Sequence, residues 1–388
     1  MKNKKHKSIQ GDKTIKPFAP GTASSCTFSL LGLNFMDRKF GKFLHFFRFD
    51  MYFISTLCYT KRKDKGGMIM NQTLEKRKLV LVGTGFVGMS FAYTLLTTPG
   101  IDELVLVDID YEKTVGEEMD LSHGLPYAPS KMKIKAGNYE DCKDADIVVV
   151  TAGAAQKPNQ TRLELTVVNA KIMKSICEQI KASGFNGVLI IASNPVDIMS
   201  YVAWKVTGLP KEKVIGSGTL LDTARLRYLM SEYLNISSKN IHAYIMGEHG
   251  DSSFVPWTNC YIGCKHLLEF LDEKDKDLSD LLEIYKQVQQ AAYEIINRKK
   301  ATYYGIGLSL NHLVHSILKD ENSIMTVSAH QNGEYGQEGL YIGVPAIVGS
   351  QGIKEIIQLP LNEVDQNKFD TSCTTLKQII KDSINELL

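Results

Sequence analysis

The chain lacks any run of about 18 uncharged apolar residues, the length a bilayer-spanning helix needs. Phe43 to Tyr59 is broken by His45, Arg48 and Asp50, and Pro17 to Met36 is diluted by serine, threonine, glycine and asparagine, so no membrane association is expected. Paired cysteines are also missing. Cys26, Cys58, Cys142, Cys177, Cys260, Cys264 and Cys373 form an odd, scattered set without a CxxC pair. That argues against a disulfide framework and offers no zinc site, so no bound metal is expected and the cysteines read as reduced thiols of a cytoplasmic protein. Internal repeats and low-complexity tracts are missing too. With 388 residues, 44% hydrophobic and 23% charged, the composition is that of a folded protein long enough for two domains, not of a disordered or fibrous one.

The net charge of +2 conceals a split at Met70. Residues 1–69 carry 14 Lys/Arg against 4 Asp/Glu, leaving 31 basic and 39 acidic residues for 70–388. A basic leader could attract nucleic acid or anionic lipid, but nothing gathers its charges on one face, and no nucleic-acid partner is expected. It also fails as a secretory signal, because its first apolar run, Phe28 to Met36, lies far from the charged start and leads into Asp37-Arg38 instead of a small-residue cleavage site. A transit peptide and a membrane anchor are alternatives. The favoured reading is that Lys65-Gly66-Gly67 corresponds to a purine-rich ribosome-binding sequence just upstream of Met68 and Met70. The leader is then untranslated or unstructured, and the protein starts near Met70.

From Arg77 onward, short β-branched runs alternate with amphipathic helical segments, the pattern of a parallel sheet covered by helices. Strands are predicted at Lys78 to Val82, Glu103 to Val107, Asp146 to Thr151 and Gly187 to Ser193, with helices over Gly88 to Thr97 and Leu165 to Ala182. Beyond about residue 216 the texture changes. A helix over Leu220 to Leu234, a strand over Ile241 to Met246 and a charged stretch over Leu271 to Asp280 lead to a long helix, Asp280 to Lys299. Two strand-like runs, Ser323 to Ala329 and Leu340 to Val348, and a terminal helix from Thr374 to Leu388 complete a mixed second domain. The domains are therefore expected at 70–216 and 217–388.

Val80-Leu-Val-Gly83-Thr-Gly85-Phe-Val-Gly88 places GxGxxG directly after a strand and at the mouth of a helix, with Asp108 ending the next strand. In that context the motif indicates a dinucleotide site, although glycines alone could form an ordinary turn. Gly83 permits the tight turn, Gly85 lets backbone approach a pyrophosphate, and Gly88 allows helix and strand to pack closely. The helix N-terminus then stabilises the phosphate charge. Asp108 would accept hydrogen bonds from the adenosine ribose and repel a 2′-phosphate, which favours NAD over NADP.

Four polar clusters follow. Asp222 and Arg225 lie three apart on a helix and share a face, which taken alone also describes a surface ion pair. His249, between glycines in Gly247-Glu-His-Gly-Asp251, ends an apolar strand where a general acid or base is plausible and a turn histidine is the alternative. Thr151-Ala-Gly-Ala-Ala-Gln156-Lys-Pro-Asn-Gln-Thr-Arg162 leaves a strand's carboxyl end, where open α/β sheets bind ligands. Asn194, before Pro195, ends another strand. There it can bond the nicotinamide side or the substrate, or simply form a turn.

Taken in order and spacing, GTGFVG, TAGAAQKPNQTR, SNPVDI, GSGTLLDTARLR and GEHGDSS resemble the bacterial-type L-lactate dehydrogenases of the lactate and malate dehydrogenase family, over essentially all of 70–388. The resemblance implies a Rossmann-type doubly wound parallel sheet followed by a mixed α+β catalytic domain. It counts Phe86, Val87, Thr151, Ala152, Gly153 and Ile306 with the cofactor-binding residues. His249 would exchange a proton with the carbonyl oxygen of pyruvate, Asp222 would orient and charge it, and Arg225 would grip the substrate carboxylate with its planar fork. Arg162 would close over the substrate and polarise the carbonyl. Gln156, where malate dehydrogenases carry arginine, suits a methyl group because a second carboxylate would be buried without a partner. Thr302 matches the small residue beside that methyl. Malate or broader 2-hydroxy acid dehydrogenase and non-catalytic NAD binding are the alternatives.

Arg227 lies two residues, about 200°, beyond Arg225 and must point away from the pocket. In the bacterial family, the positions of Arg227 and His242 resemble a subunit-interface site for fructose 1,6-bisphosphate. Its binding would favour an active homotetramer. A surface arginine is the alternative. For the leader, the intact mass of the protein made from its own gene is expected to correspond to a start near Met70. A mass that includes residues 1–67 would overturn the upstream reading.

Overall fold

The computed structural model describes residues 76–154 and 162–388, with only the backbone of Arg162. The leader, 1–69, and Gln156 lie outside the described residues, as does the Arg162 side chain. The first half runs β1 (Lys78–Val82), α1 (Phe86–Thr97), β2 (Glu103–Val107), α2 (Tyr111–Gly124), β3 (Lys133–Ala136), β4 (Ile147–Val150), α3 (Arg162–Ala182), β5 (Val188–Ile191), α4 (Val196–Thr207) and β6 (Val214–Gly216). Strands β1, β4 and β5 read KLVLV, IVVV and VLII and are buried at every position. Such runs belong to parallel strands covered on both faces. Register confirms it: β3, β2, β1, β4, β5 and β6 pair in parallel in that order. The order reverses between β1 and β4, which opens a crevice at the strands' carboxyl ends.

The second half runs α5 (Leu220–Leu234), β7 (Ile241–His242), β8 (Tyr261–Ile262), β9 (Lys265–His266), α6 (Leu267–Asp272), α7 (Leu278–Lys299), α8 (Tyr304–Leu318), β10 (Ser323–Asn332), β11 (Glu338–Gly349), β12 (Gly352–Ile356) and α9 (Glu363–Ile379). β10 joins β6 antiparallel where Ser328 faces Gly216, and β11 and β12 follow it, so one nine-stranded sheet crosses position 216. A separate small sheet, β7-β8-β9, packs with α5, α6 and α7 around Leu226, Met230, Ile245 and Leu281. Among the described residues no helix is long and apolar enough to cross a membrane.

The strand expected over Ile241 to Met246 forms only at Ile241–His242. Met246 pairs antiparallel with Phe254 as an isolated bridge, and between β7 and that bridge residues 243–245 meet side chains of α5 and its cap in place of a neighbouring strand. Thr223 Oγ1 accepts the Ile245 N–H at 3.0 Å, Thr219 Oγ1 donates to the Ile245 carbonyl at 2.6 Å, and Arg227 Nε donates to that of Ala243 at 3.0 Å. These bonds satisfy buried backbone without a ladder. The terminal helix starts earlier than its expected Thr374, because Asn362 caps it by accepting the Asp365 N–H.

Between β6 and α5, Gly218 takes φ +52°, and a Cβ there would meet the Ser328 backbone nitrogen at 2.4 Å. Gly208, at the end of α4, also has positive φ (+70°) but nothing within 4 Å. Gly218→Ala is therefore expected to lower the thermal unfolding midpoint well below that of Gly208→Ala, by a destabilisation of roughly 2–3 kcal/mol. Equal midpoints would show that this turn yields easily.

Candidate active site

The glycine motif lands in the crevice. Gly83 has φ +106°, and a Cβ on it would sit 2.6 Å from Ala152 N; one on Gly88 would lie 2.0 Å from Gly83 O. Both positions exclude a side chain, for turn and packing as expected. Gly85 is different, since a Cβ there meets nothing within 4 Å. It is the cap of α1, whose first turn carries no side-chain cap. The opening amides of that helix, with Phe86 and Val87, are thus left for an anion from outside. Thr151 donates from Oγ1 to Gly83 O at 2.9 Å and ties the loop after β4 to the glycine turn.

Asp108 lies just beyond β2. Thr84 donates to its Oδ2 from backbone (2.7 Å) and hydroxyl (3.1 Å), while Asp110 N–H reaches Oδ1 at 3.2 Å. Burial opposes the charge, but these bonds and the Lys113 ammonium outweigh it and hold the carboxyl below its usual range. An ionised carboxylate has about four acceptor positions, so Oδ1 keeps one for a ribose hydroxyl. An open helix N-terminus with a carboxylate beside it fits a dinucleotide: pyrophosphate over Gly85, ribose against Asp108.

At the other end of the crevice, Asp222 on α5 occupies the centre. Its Oδ2 lies 2.6 Å from His249 Nδ1 and its Oδ1 accepts from Arg225 at 2.8 Å. The helical spacing supplies the second contact, as predicted; the first requires the fold. Burial disfavours charge on His249, yet the Asp222 carboxylate beside it raises its pKa overall; reciprocally, burial of Asp222 is outweighed by His249 and Arg225, which hold its carboxyl down.

Two further residues shape this end without having been given a role from sequence. Asp197, on α4 and 2% exposed, accepts the His249 backbone N–H at 2.8 Å and the Ser328 hydroxyl at 2.6 Å. Burial pushes its pKa up to about 6 against those bonds. Asn169, on α3, accepts the Ala154 N–H and donates to the Asn194 carbonyl, both at 2.8 Å, which joins two loops at the crevice. Neither carried a sequence signal beyond its residue type, since a carboxylate near a helix start and an amide within a helix suggest capping or surface duties.

The structure brings Gly83, Gly85, Gly88, Asp108, Thr151, Ala152 and Gly153 to one end, and His249, Asp222 and Arg225 to the other. Asn194, in a cis bond to Pro195, follows β5 at the same sheet edge. Thr302 and Ile306 flank the start of α8, with Ile306 packed on the main core. Arg227 faces elsewhere, as its helical position requires: it donates to Ala243 O at 3.0 Å and covers the Tyr244 ring at 4.8 Å. His242, the neighbour of Ala243, is exposed.

Comparison with known proteins gives the same reading. The profile of the lactate/malate dehydrogenase NAD binding domain matches residues 77–216, and that of the family's alpha/beta C-terminal domain matches 219–387. Among curated relatives, L-lactate dehydrogenase 1 of Bacillus cereus is 53% identical over 303 residues, 78% of this chain and 96% of that protein. L-lactate dehydrogenase 2 of Bacillus cereus is 50% identical over 302 residues, again 78% and 96%. Among solved structures, MGS-M5, a lactate dehydrogenase from a Medee basin deep-sea metagenome library, is 50% identical with TM-score 0.78, over 80% of this chain and 99% of that one. The ligands-bound minor L-lactate dehydrogenase of Enterococcus mundtii is 44% identical with TM-score 0.77, over 79% and 98%. The chain therefore belongs to the lactate/malate dehydrogenase family and is an NAD-dependent oxidoreductase.

Proposed function

We propose that the chain is an L-lactate dehydrogenase that reduces pyruvate to L-lactate in the cytoplasm, reversibly, and so regenerates NAD⁺ in fermentation. The observation that carries this reading is the double use of Asp222, which holds the acid His249 and the carboxylate fork Arg225 at a fixed separation. When bound, NADH supplies the hydride that reaches C2 of the substrate. Asp222 engages Nδ1 of His249, so Nε2 is the nitrogen that gives its proton to the carbonyl oxygen and takes one back in lactate oxidation. Arg225, fixed from one side by Asp222, keeps further donors for a substrate carboxylate. Asp197 fixes the backbone of His249 and hence the ring's origin. Asn194 and Thr302 are assigned to the substrate's surroundings, and Gln156 and Arg162 keep the roles that the family resemblance implies: accommodation of the methyl group and polarisation of the carbonyl.

The proposal includes activation of a homotetramer by fructose 1,6-bisphosphate through Arg227 and His242. In its support, Arg227 donates to the carbonyl of Ala243, the residue that follows His242, at 3.0 Å, and the His242 side chain is exposed.

The sign of the pH dependence follows from the His249 shift. Its pKa lies above the ordinary 6.5, so the imidazolium persists below that raised value. Pyruvate reduction is expected to fall as pH rises through it, and lactate oxidation to rise over the same interval. Asp222→Asn should move both limbs to lower pH, and His249→Asn should reduce kcat by about 10²–10⁴-fold. Rate profiles in both directions check this; limbs that stay in place in Asp222→Asn would remove Asp222 from its role.

NADH oxidation by the Met70-start protein should prefer pyruvate over oxaloacetate, and Gln156→Arg should reverse the preference. Fructose 1,6-bisphosphate should activate the parent but not Arg227→Gln. Preference of the parent for oxaloacetate would sink the substrate assignment, and unchanged activation of Arg227→Gln the assignment of the effector site.

A further inference from the structure

The connection between α7 and α8 carries Thr302 and is gripped by side chains that the proposed reaction does not use. Phe86, the first residue of α1, is 72% exposed. Its ring nevertheless stacks on Tyr303, with centroids 5.3 Å apart and planes 26° from parallel. Lys299, the last residue of α7, sets its ammonium 3.4 Å from the centroid of Tyr303 and 4.0 Å from that of Tyr304. Stacked rings and an ammonium over an aromatic face attract one another beyond the area they bury. Contact with Lys299, and then with Tyr304, also draws the Tyr303 phenol below its ordinary range.

The surroundings give this stack a direction of action. Deeper in α8, Gly307 abuts α1 at Ser90 and Phe91, and Gly305 abuts Leu221 of α5, so the body of that helix is wedged in place. The connection in front of it is looser. Lys300 adopts φ +72°, which an L residue seldom takes, and Tyr303 caps α8 without a side-chain bond. Phe86 rides on the helix turn whose uncapped amides would hold a pyrophosphate, and Tyr303 is the residue next to Thr302.

We propose that the Phe86–Tyr303–Lys299 stack is a strut that couples dinucleotide binding at the start of α1 to the position of Thr302 beside the substrate. A ligand that fixes the first turn of α1 fixes the Phe86 ring, and the ring fixes Tyr303 and its neighbour. Phe86 and Tyr303 are positioning residues in this scheme; they take no part in proton or hydride movement. The kinetic side of the inference rests on the pyruvate-reducing reading above, whereas the coupling itself does not.

The coupling can be read without turnover, because Lys299 and Lys300 are exposed and are sites for trypsin. NADH, at a concentration that saturates its own fluorescence titration in each protein, is expected to slow cleavage at this connection in the parent and not in Phe86→Leu. Equal protection in both, or protection in neither, overturns the strut. In steady state, Tyr303→Leu should raise the KM for pyruvate by about three- to tenfold with NADH affinity little changed. Tyr303→Phe, which keeps the ring, should restore the parent value; if it behaves as Tyr303→Leu does, the hydroxyl and not the stack is responsible and the proposal fails. Should Tyr303→Leu not fold, the exposed Phe86→Leu substitution carries the pyruvate KM measurement, made at NADH concentrations that saturate that variant. A parent protein that does not reduce pyruvate, but in which NADH protects the connection only while Phe86 is present, would refute the substrate reading and leave the strut standing.

Discussion

The proposed chemical end of this molecule depends on one carboxylate held between a histidine and an arginine. Asp222 is bonded to His249 on one oxygen and to Arg225 on the other, with little water around it. An isolated charge there would be costly, and removal of either partner would leave the remainder imperfectly compensated. The trio therefore behaves as a unit: the carboxylate favours the charged histidine, the histidine and the arginine favour the ionised carboxylate, and the arginine is oriented by the same few contacts. If this is the substrate site, as proposed, it arrives preformed, and a substrate would not spend binding energy to organise it.

The rest of the fold brings those partners together from distant parts of the chain. Asp222 comes from α5, His249 from the irregular segment after β7, and Asp197 from α4, itself joined to Ser328 on β10. Extension of the parallel sheet by β10, β11 and β12 places that serine next to the edge where Gly216 ends β6. Segment 241–246 is positioned by the hydroxyls of Thr219 and Thr223 and by the guanidinium of Arg227, all on α5 or its cap. The helix that carries the carboxylate thus also holds the backbone that leads to the histidine, which couples the two geometrically.

Much of this was legible beforehand, for physical reasons that differ by element. β1 and β2 declare themselves because strands buried on both faces need unbroken apolar runs, and α5 because its apolar spacing is uninterrupted. Gly83 and Asp108 could be assigned because one needs a backbone conformation that side chains oppose and the other ends a strand at a crevice. β12, a hairpin back onto β11, and the early start of α9, set by its Asn362 cap, have local causes that apolar spacing does not reveal, whereas the truncated strand at Ile241 depends on side chains remote in sequence. The same holds for Asp197 and Asn169. Their residue types suggest surface or capping duties, and only the assembled fold shows that one fixes the His249 backbone and the other joins two loops.

The placement of Arg227 on the far side of α5 has a consequence of its own. Asp222 and Arg225 present one side of the helix to the substrate, while Arg227 grips the backbone behind it, and a hydrogen-bonded helix transmits displacement along and across itself better than it bends. A ligand taken up by Arg227 that displaces this rod alters the pocket in front. Were both sites occupied as proposed, thermodynamic linkage would work in both directions: a substrate settling between His249 and Arg225 would change the affinity of the rear face for its own ligand by the same factor.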